Sequence, residues 1–299
     1  MKFPSIALLT KPTYLRTRAQ TALETCLKRH GYRTRADYGL HASESIVFVW
    51  SWGKAMIVRQ KNPAAIICCL DHGYTSRRAE YINTGWSVPS MPCGLNGFAE
   101  HAWVKDPDGT RARAMGLYDE VRPVKSGPLR RVLLLGQVYG DAMIVTQVRD
   151  YGEWLREMSR KLQDLGYEVT FRPHPVMVRR GQSHAYGNLG RLTGNRDLRA
   201  DLSEADVAVA LNSNGLVEAF LAGVEAWAYN GGTMLAPILD PPDADFRYRE
   251  PWLNKLAWTQ WTPEELEDGT WYKHHAPIMH RLVETGVCRP WNLKRPEDL

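Results

Sequence analysis

The chain has 299 residues, 44% of them hydrophobic and 24% charged, a balance that excludes a disordered protein and leaves room for two domains of ordinary size. Its longest apolar runs, such as Ala64-Ala-Ile-Ile-Cys-Cys-Leu70, are strand-length and far too short to span a bilayer, so no integral membrane segment is expected. A net charge of +5 permits a polyanionic partner without requiring one, and five cysteines without C-x-x-C spacing predict reduced thiols in a cytoplasmic protein.

In chain order, residues 5–9 read as a first strand. Residues 16–29 read as a helix that turns Ala19, Leu23, Cys26 and Leu27 inward and stops at His30-Gly31. Residues 45–50 form the next strand, ending in Trp50-Ser51-Trp52-Gly53 before a helix over 54–60. Residues 64–70 form another, ending in Asp71-His72-Gly73-Tyr74, with Cys68 and Cys69 inside it as small hydrophobes. This alternation predicts a parallel sheet, and such sheets bind ligands at the C-terminal ends of their strands. Asp71, His72 and the turn holding Trp52 would share that edge. Regularity fails over residues 75–102, where Arg77, Arg78, Tyr81, Trp86 and Asn96 mark a long loop-rich surface. The Pro/Gly/basic mix of residues 122–131 reads as an interdomain linker.

The pattern then restarts. A strand over 131–135 closes in Gly136-Gln137-Val138-Tyr139-Gly140-Asp141, and a helix over 148–165 carries Trp154, Leu155, Met158, Leu162 and Leu165 at helical spacing, with Gly166 as its stop. A strand over 168–171 ends in Arg172-Pro173-His174-Pro175. A buried strand over 207–211 breaks at Asn212-Ser213-Asn214-Gly215 and restarts as a helix with Leu216, Val217, Phe220 and Leu221 on one face. A strand over 224–229 leads to Asn230-Gly231-Gly232-Thr233, and helices follow Pro251, one of them capped by Thr262-Pro263-Glu264-Glu265. Two α/β halves joined by a linker predict a two-lobed enzyme with a central cleft.

The turn at residues 212–215 has the makings of an anion site. Free N–H groups of the first helical turn and the positive end of the helix dipole point into it, Ser213 or Asn214 can cap the helix, and Gly215 admits a phosphate to the backbone. A plain capped helix in a βαβ unit fits the same residues. In Arg172-Pro173-His174-Pro175 the prolines hold the imidazole rigidly at the strand end, and Arg172 offers a permanent, forked phosphate ligand. Glu218, one turn into the helix, could accept a ribose hydroxyl. No G-x-G-x-x-G or G-x-x-x-x-G-K-[ST] fingerprint is present, which argues against dinucleotide oxidoreductases and P-loop enzymes. Asp243-Ala-Asp245 sits in a Pro-rich turn and His274-His275 reads as solvated, so no metal site is expected.

Four blocks carry a resemblance: Val132–Ile144, Phe171-Arg172-Pro173-His174-Pro175, Leu211–Gly223 and Leu256–Leu266. Trp50-Ser51-Trp52-Gly53, Asp71-His72-Gly73-Tyr74 and Gly94-Leu95-Asn96-Gly97 extend it more loosely. Together they resemble the capsular-polysaccharide (Kdo-transferase) glycosyltransferases and their short phage-encoded relatives. The resemblance implies a GT-B-like α/β fold of two Rossmann-like parallel-sheet lobes facing a central cleft. The acceptor-side lobe would span residues 1–125 and the nucleotide-sugar lobe 126–255, with helices of 256–299 packing back across the lobes. It further implies that Arg172 and His174 hold the donor phosphate or nucleotide, that Asn212, Ser213, Asn214 and Gly215 bind phosphate, and that Gln137, Asp141 and Thr233 line the donor side. The acceptor side would comprise Trp52, His72, Arg77, Arg78, Trp86 and Asn96. Relatives commonly carry an acidic residue, often Glu, before G-Y, whereas this chain has Asp71-His72.

Charge dictates the expected mechanism. Breaking a sugar–phosphate bond leaves a nucleotide anion that Arg172, His174 and the turn at 213–215 would stabilise, with Asp71 as the base for the acceptor hydroxyl. Asp71 reads equally as a turn cap. A UDP- or CMP-sugar would be the co-substrate, with no separate cofactor. Three acceptor readings stand side by side. The basic and aromatic loop residues and the phage-like length lean to a flipped 5-hydroxymethylpyrimidine in double-stranded DNA. A capsule or lipopolysaccharide precursor is the second, and a silent nucleotide- or carbohydrate-binding module is the third.

Overall fold

The structure, a computed structural model, describes residues 5–9, 18–37, 43–50, 52–71, 91–95, 108–145, 147–193, 196–229 and 246–285. In chain order these give β1 (Ser5–Leu9), α1 (Arg18–Arg29), β2 (Arg33–Asp37), β3 (Ile46–Trp50), α2 (Trp52–Lys61), β4 (Ile66–Leu70) and β5 (Met91–Leu95). Next come α3 (Gly109–Ala114), α4 (Leu117–Glu120), β6 (Arg131–Leu135), α5 (Ala142–Val145), α6 (Tyr151–Asp164), β7 (Glu168–Arg172), α7 (Pro175–Arg179) and β8 (Arg191–Leu192). The rest are α8 (Leu198–Glu204), β9 (Val207–Ala210), α9 (Gly215–Leu221), β10 (Glu225–Ala228), α10 (Phe246–Trp258), β11 (Gln260–Trp261), α11 (Pro263–Glu267) and α12 (Thr270–Thr285). The described residues of Met1–Asp108 and Lys255–Asn292 form one compact unit, and those of Gly109–Asn254 form the other.

In the first unit the sheet runs β11-β5-β4-β3-β1-β2. The pairs β1–β2, β1–β3 and β3–β4 are parallel, while β4–β5 and β5–β11 are antiparallel. β3 and β4 are apolar throughout because both faces of a central parallel strand are covered. Their core takes in Leu23, Cys26 and Leu27 of α1 together with Trp261, Leu266, Trp271 and Met279. Each such fully buried side chain contributes roughly 1.5–3 kcal/mol. Cys68 and Cys69 are buried and unbridged, as small hydrophobes of a core strand should be. Gly31, with φ 86°, turns the chain after α1.

Two strands of this sheet escape sequence patterning. β2, Arg-Thr-Arg-Ala-Asp, is an edge strand among the described residues, paired there with β1 alone, and carries exposed arginines at 33 and 35. β5 lies inside the stretch expected to be irregular, and Pro92 and Gly94 disguise it. His274 and His275, expected in solvent, instead face aromatic neighbours from α12. His275 is buried, stacks on Trp271 at 4.7 Å and donates from Nδ1 to the Trp271 carbonyl at 2.9 Å. His274 stacks on Trp258 at 4.6 Å. Residues 271 and 275 are one helical turn apart, so the tryptophan that faces the core takes the histidine with it. The expected cap of α11 is present as a reciprocal capping box between Thr262 and Glu265.

The second unit holds a five-stranded, wholly parallel sheet in the order β10-β9-β6-β7-β8. Counted within the unit this is 5-4-1-2-3, the order of a Rossmann sheet, and its switch point falls between β6 and β9. The period of two is plain in the core. Val132, Leu134, Val207 and Val209 face α6, while Leu133, Leu135, Ala208 and Ala210 join Leu202 and Leu216 on the opposite face. Asp150 caps α6 by accepting the Glu153 N–H at 2.9 Å, and Gly166 at φ 87° follows its end. Trp154, Leu155 and Leu162 point inward as expected, but Leu165 is 67% exposed because the helix has already ended at Asp164.

The units part at Asp108/Gly109 rather than near residue 125. The expected linker is bound to the second unit: the Arg122 N–H donates to the Leu221 carbonyl at 2.8 Å and the Lys125 N–H to the Gly223 carbonyl at 3.1 Å. The Lys125 ammonium donates to the carbonyls of Leu202, Ser203 and Ala205, at the C-terminal end of α8. The other border falls inside α10.

Candidate functional site

Three neighbouring strands, β9, β6 and β7, end side by side at the C-terminal edge of the second sheet. Their loops carry Asn212–Asn214, Gln137–Asp141 and Arg172–Pro175. This is the edge at which a Rossmann-ordered sheet takes its ligand.

Gln137 is the fixed point of the edge. Its N–H donates to the Tyr151 hydroxyl at 2.9 Å, and the Tyr186 hydroxyl donates to its carbonyl at 2.7 Å. Its side-chain Nε2 donates to Asn212 Oδ1 at 2.5 Å, while Oε1 accepts the Asn212 N–H at 3.1 Å. Asn212, itself buried, donates from Nδ2 to the Met143 carbonyl at 3.1 Å. The two amides expected to contact a donor are thus turned on each other, forming a clasp across the switch point. Burial pushes the Tyr186 hydroxyl up to about 12 and raises Tyr151 further, so both stay protonated and serve as hydrogen-bonding groups. Neither tyrosine stands out in the sequence, since a tyrosine on an apolar face reads as core.

His174 is held as the flanking prolines predict. It is the N-cap of α7, its Nδ1 accepting the Val176 N–H at 3.1 Å, and its own N–H reaches the Tyr186 hydroxyl at 3.3 Å. With Nδ1 as acceptor, the proton of the neutral ring belongs on Nε2, which becomes a donor. Arg172 is more engaged than the sequence implies. Its Nη1 pairs with Asp201, a carboxylate of α8 that is 2% exposed. Asp201 also accepts from Arg196 Nε at 2.5 Å, and Arg196 makes a forked pair with Glu204 at 2.7 Å through each Nη. Asp201 was hidden from sequence reading, because nothing in Leu-Arg-Ala-Asp-Leu-Ser-Glu marks one acid as buried.

The turn before α9 differs from the expected open nest. The Gly215 N–H donates to Ser213 Oγ at 3.1 Å, the Leu216 N–H to the Ser213 carbonyl at 3.1 Å, and the Val217 N–H to the Asn214 carbonyl at 2.9 Å. These first-turn N–H groups are therefore spent inside the turn rather than free for an anion. Ser213, not Asn214, supplies the side-chain oxygen that caps it. A Cβ at Gly215 would stand 2.9 Å from Leu135 Cδ1, so the small residue serves the packing of α9 on β6. Asp141 is a helix cap: its carboxylate accepts the Met143 N–H at 2.8 Å and its carbonyl the N–H groups of Ile144 and Val145. Glu218 is half-buried in the first turn of α9.

In the first unit Asp71 directly follows β4, half-buried, at the edge where Trp50 of β3 pairs with Leu70. Trp52 is the first residue of α2. His72, Arg77, Arg78, Trp86, Asn96, Thr233 and the Asp243-Ala-Asp245 turn lie outside the described residues. Among the described residues no group of three His, Cys, Asp or Glu side chains is placed to hold a metal, and no helix is long and apolar enough to cross a membrane.

No protein-family model matches the chain, and no curated protein matches its sequence. Solved structures do match its fold. The β Kdo 2,4 transferase KpsC of Thermosulfurimonas dismutans superposes with a TM-score of 0.56 at 16% identity, covering 88% of this chain and 92% of that one. The β Kdo 2,7 transferase KpsC of the same organism gives 0.54 at 13% identity, covering 88% and 99%. The resemblance carried by the sequence blocks is thus met in three dimensions at the level of the fold: the chain has a GT-B-like α/β fold, shared with the KpsC Kdo transferases.

Proposed function

We propose that the protein is a nucleotide-sugar-dependent glycosyltransferase whose donor phosphate is held on the second unit by Arg172, His174 and Ser213. What supports the reading is that these residues end or follow β7 and β9, the two strands that flank β6 at the ligand-taking edge of a Rossmann-ordered sheet, in a fold shared with Kdo transferases over 88% of the chain. The chemistry follows from charge. As the sugar leaves, negative charge grows on the phosphate, and a guanidinium, an Nε2–H and a hydroxyl stabilise it more than they stabilise the ground state. Asp71 is the proposed base that takes the acceptor proton.

For the acceptor, the match to Kdo transferases favours a hydroxyl of a capsule or lipopolysaccharide precursor, with a CMP- or UDP-sugar as donor. Modified DNA rests on Arg77, Arg78 and Trp86, and is carried as the competing arm of the test. The full-length protein would be incubated with CMP-Kdo and a panel of other CMP- and UDP-sugars, against Kdo-bearing oligosaccharides and hydroxymethylated DNA. Products would be read by mass spectrometry. A sugar added to the oligosaccharide and not to the DNA is expected. Transfer to DNA would reverse the acceptor assignment, and nucleotide binding with neither transfer nor hydrolysis would mark a silent module. His174→Ala and Ser213→Ala are each expected to raise the donor KM about tenfold. Asp71→Asn should leave donor binding intact and lower kcat by roughly 100-fold or more; unchanged turnover would eliminate Asp71 as the base.

A further inference from the structure

Arg172 and Arg196 converge on one carboxylate, and they use it differently. Arg196 commits Nε to Asp201 and both Nη atoms to Glu204, so every nitrogen of its guanidinium is engaged. Arg172 commits Nη1 alone, and among the described residues its other nitrogens make no hydrogen bond. Its side chain is nonetheless only 12% exposed, against 41% for Arg196. The side chain is therefore held by one corner at the end of β7, beside His174, with the rest of the fork uncommitted. Asp201 is buried to 2% and reaches β7 from the middle of α8. A buried carboxylate needs compensation, and one guanidinium would suffice for charge. The second serves geometry instead: Arg196 holds Asp201 from the other side through Nε and spends its two Nη atoms on Glu204, so the four groups balance in charge. What sets Arg172 apart is that its one bond to a fixed carboxylate leaves the rest of its fork uncommitted.

We propose that Asp201 is a positioning residue of the anion site, fixing the Arg172 guanidinium toward a phosphate while Arg196 steadies Asp201 from its other oxygen. Asp201 does not touch the ligand; it sets the direction of the group that does. This rests on the reading of Arg172 as a donor-phosphate ligand. The alternative is that the pair only staples β7 to α8.

The test is a double-mutant cycle on full-length protein, with CMP, UDP and inorganic pyrophosphate as ligands and calorimetric Kd as the readout. Asp201→Asn and Arg172→Ala are each expected to weaken binding of the best of the three about tenfold, and the double variant no further than either alone. Asp201→Glu should recover part of the loss. A mere staple lowers the unfolding midpoint but leaves Kd unchanged, or weakens binding equally in the Arg172→Ala background; either result overturns the proposal. Should Asp201→Asn not fold, Arg196→Lys decides, since it keeps the positive charge beside Asp201 and Glu204 while removing the Nε hydrogen bond that steadies Asp201. Binding weakened about threefold supports positioning through Asp201, and unchanged binding overturns it. If the wild type binds none of the three ligands, the donor-site reading fails and this proposal with it. Wild-type binding that Asp201→Asn leaves untouched sinks this proposal alone.

Discussion

At the opposite, N-terminal edge of the second sheet, Asp206 shows what one carboxylate contributes to stability. It accepts the N–H groups of Arg130 and Arg131 at 3.1 and 2.9 Å and the Arg131 guanidinium at 2.7 Å, joining the starts of β6 and β9. The Arg131 hydrogen bond, aided by the backbone donors and opposed by burial, lowers its pKa to about 2. A carboxyl whose pKa is depressed on folding stabilises fully above its unfolded value, near 3.9, and loses that contribution as pH falls through the folded value. Asp206→Asn is therefore expected to cost the second unit roughly 1–3 kcal/mol at neutral pH. The gap between variant and wild type should close between about pH 4 and about pH 2. Urea unfolding at a series of pH values checks both, and a gap constant with pH would remove the carboxylate's charge from the account. At the C-terminal edge the polar groups are also spent, but several are spent on each other, as in the Gln137–Asn212 clasp. That exchange was not legible. Sequence reading singles out Gln137, Arg172, His174, Asn212 and Ser213 as candidates, but neither the tyrosines nor Asp201, because burial of a polar side chain leaves no periodic mark.

Elements were legible in proportion to how completely their neighbours cover them. β6 is read at its true bounds because both its faces are apolar, whereas β2, β5 and the two-residue β8 and β11 escape, being edges, bulky in turn-forming residues or too short to show a period. The segment after α4 was misread for a different reason: Pro and Gly mark an interruption of regular structure, not freedom from the fold. Gly223, at φ 77°, is where the segment docks, and a Cβ there would fall 2.1 Å from the Pro123 carbonyl oxygen. Gly223→Ala combines a left-handed backbone with a backbone collision and is expected to cost about 2–4 kcal/mol. Denaturant unfolding measures this, and a loss under about 0.5 kcal/mol would show that the segment is not anchored there.

At the scale of the whole molecule the two units are built differently from the chain. The described residues of the second all fall within Gly109–Asn254, and its core closes on both faces of its sheet. The first is assembled from two stretches, and the later one supplies the outer neighbour of β5 and the core side chains Trp261, Leu266, Trp271 and Met279. Residues 109–254 expressed alone are expected to unfold in one cooperative transition. Residues 1–108 alone should lack one, and a fusion of 1–108 to 255–285 should regain it. Circular dichroism across a thermal ramp distinguishes these cases. A cooperative melt from residues 1–108 alone would mean that the later stretch decorates that core rather than completing it.

The two-residue pairing of Gln260 and Trp261 with β5 therefore also sets a timetable. On the ribosome the first unit's strands emerge early and wait, with the outer edge of β5 unpaired, while the entire second unit is made. At ordinary elongation rates that wait is on the order of ten seconds. An open strand edge over an unfinished core is a template for pairing with other chains, so that interval is when nascent molecules are expected to associate wrongly. The yield of soluble protein is then expected to depend on how quickly residues 255–285 follow, and not on final stability alone.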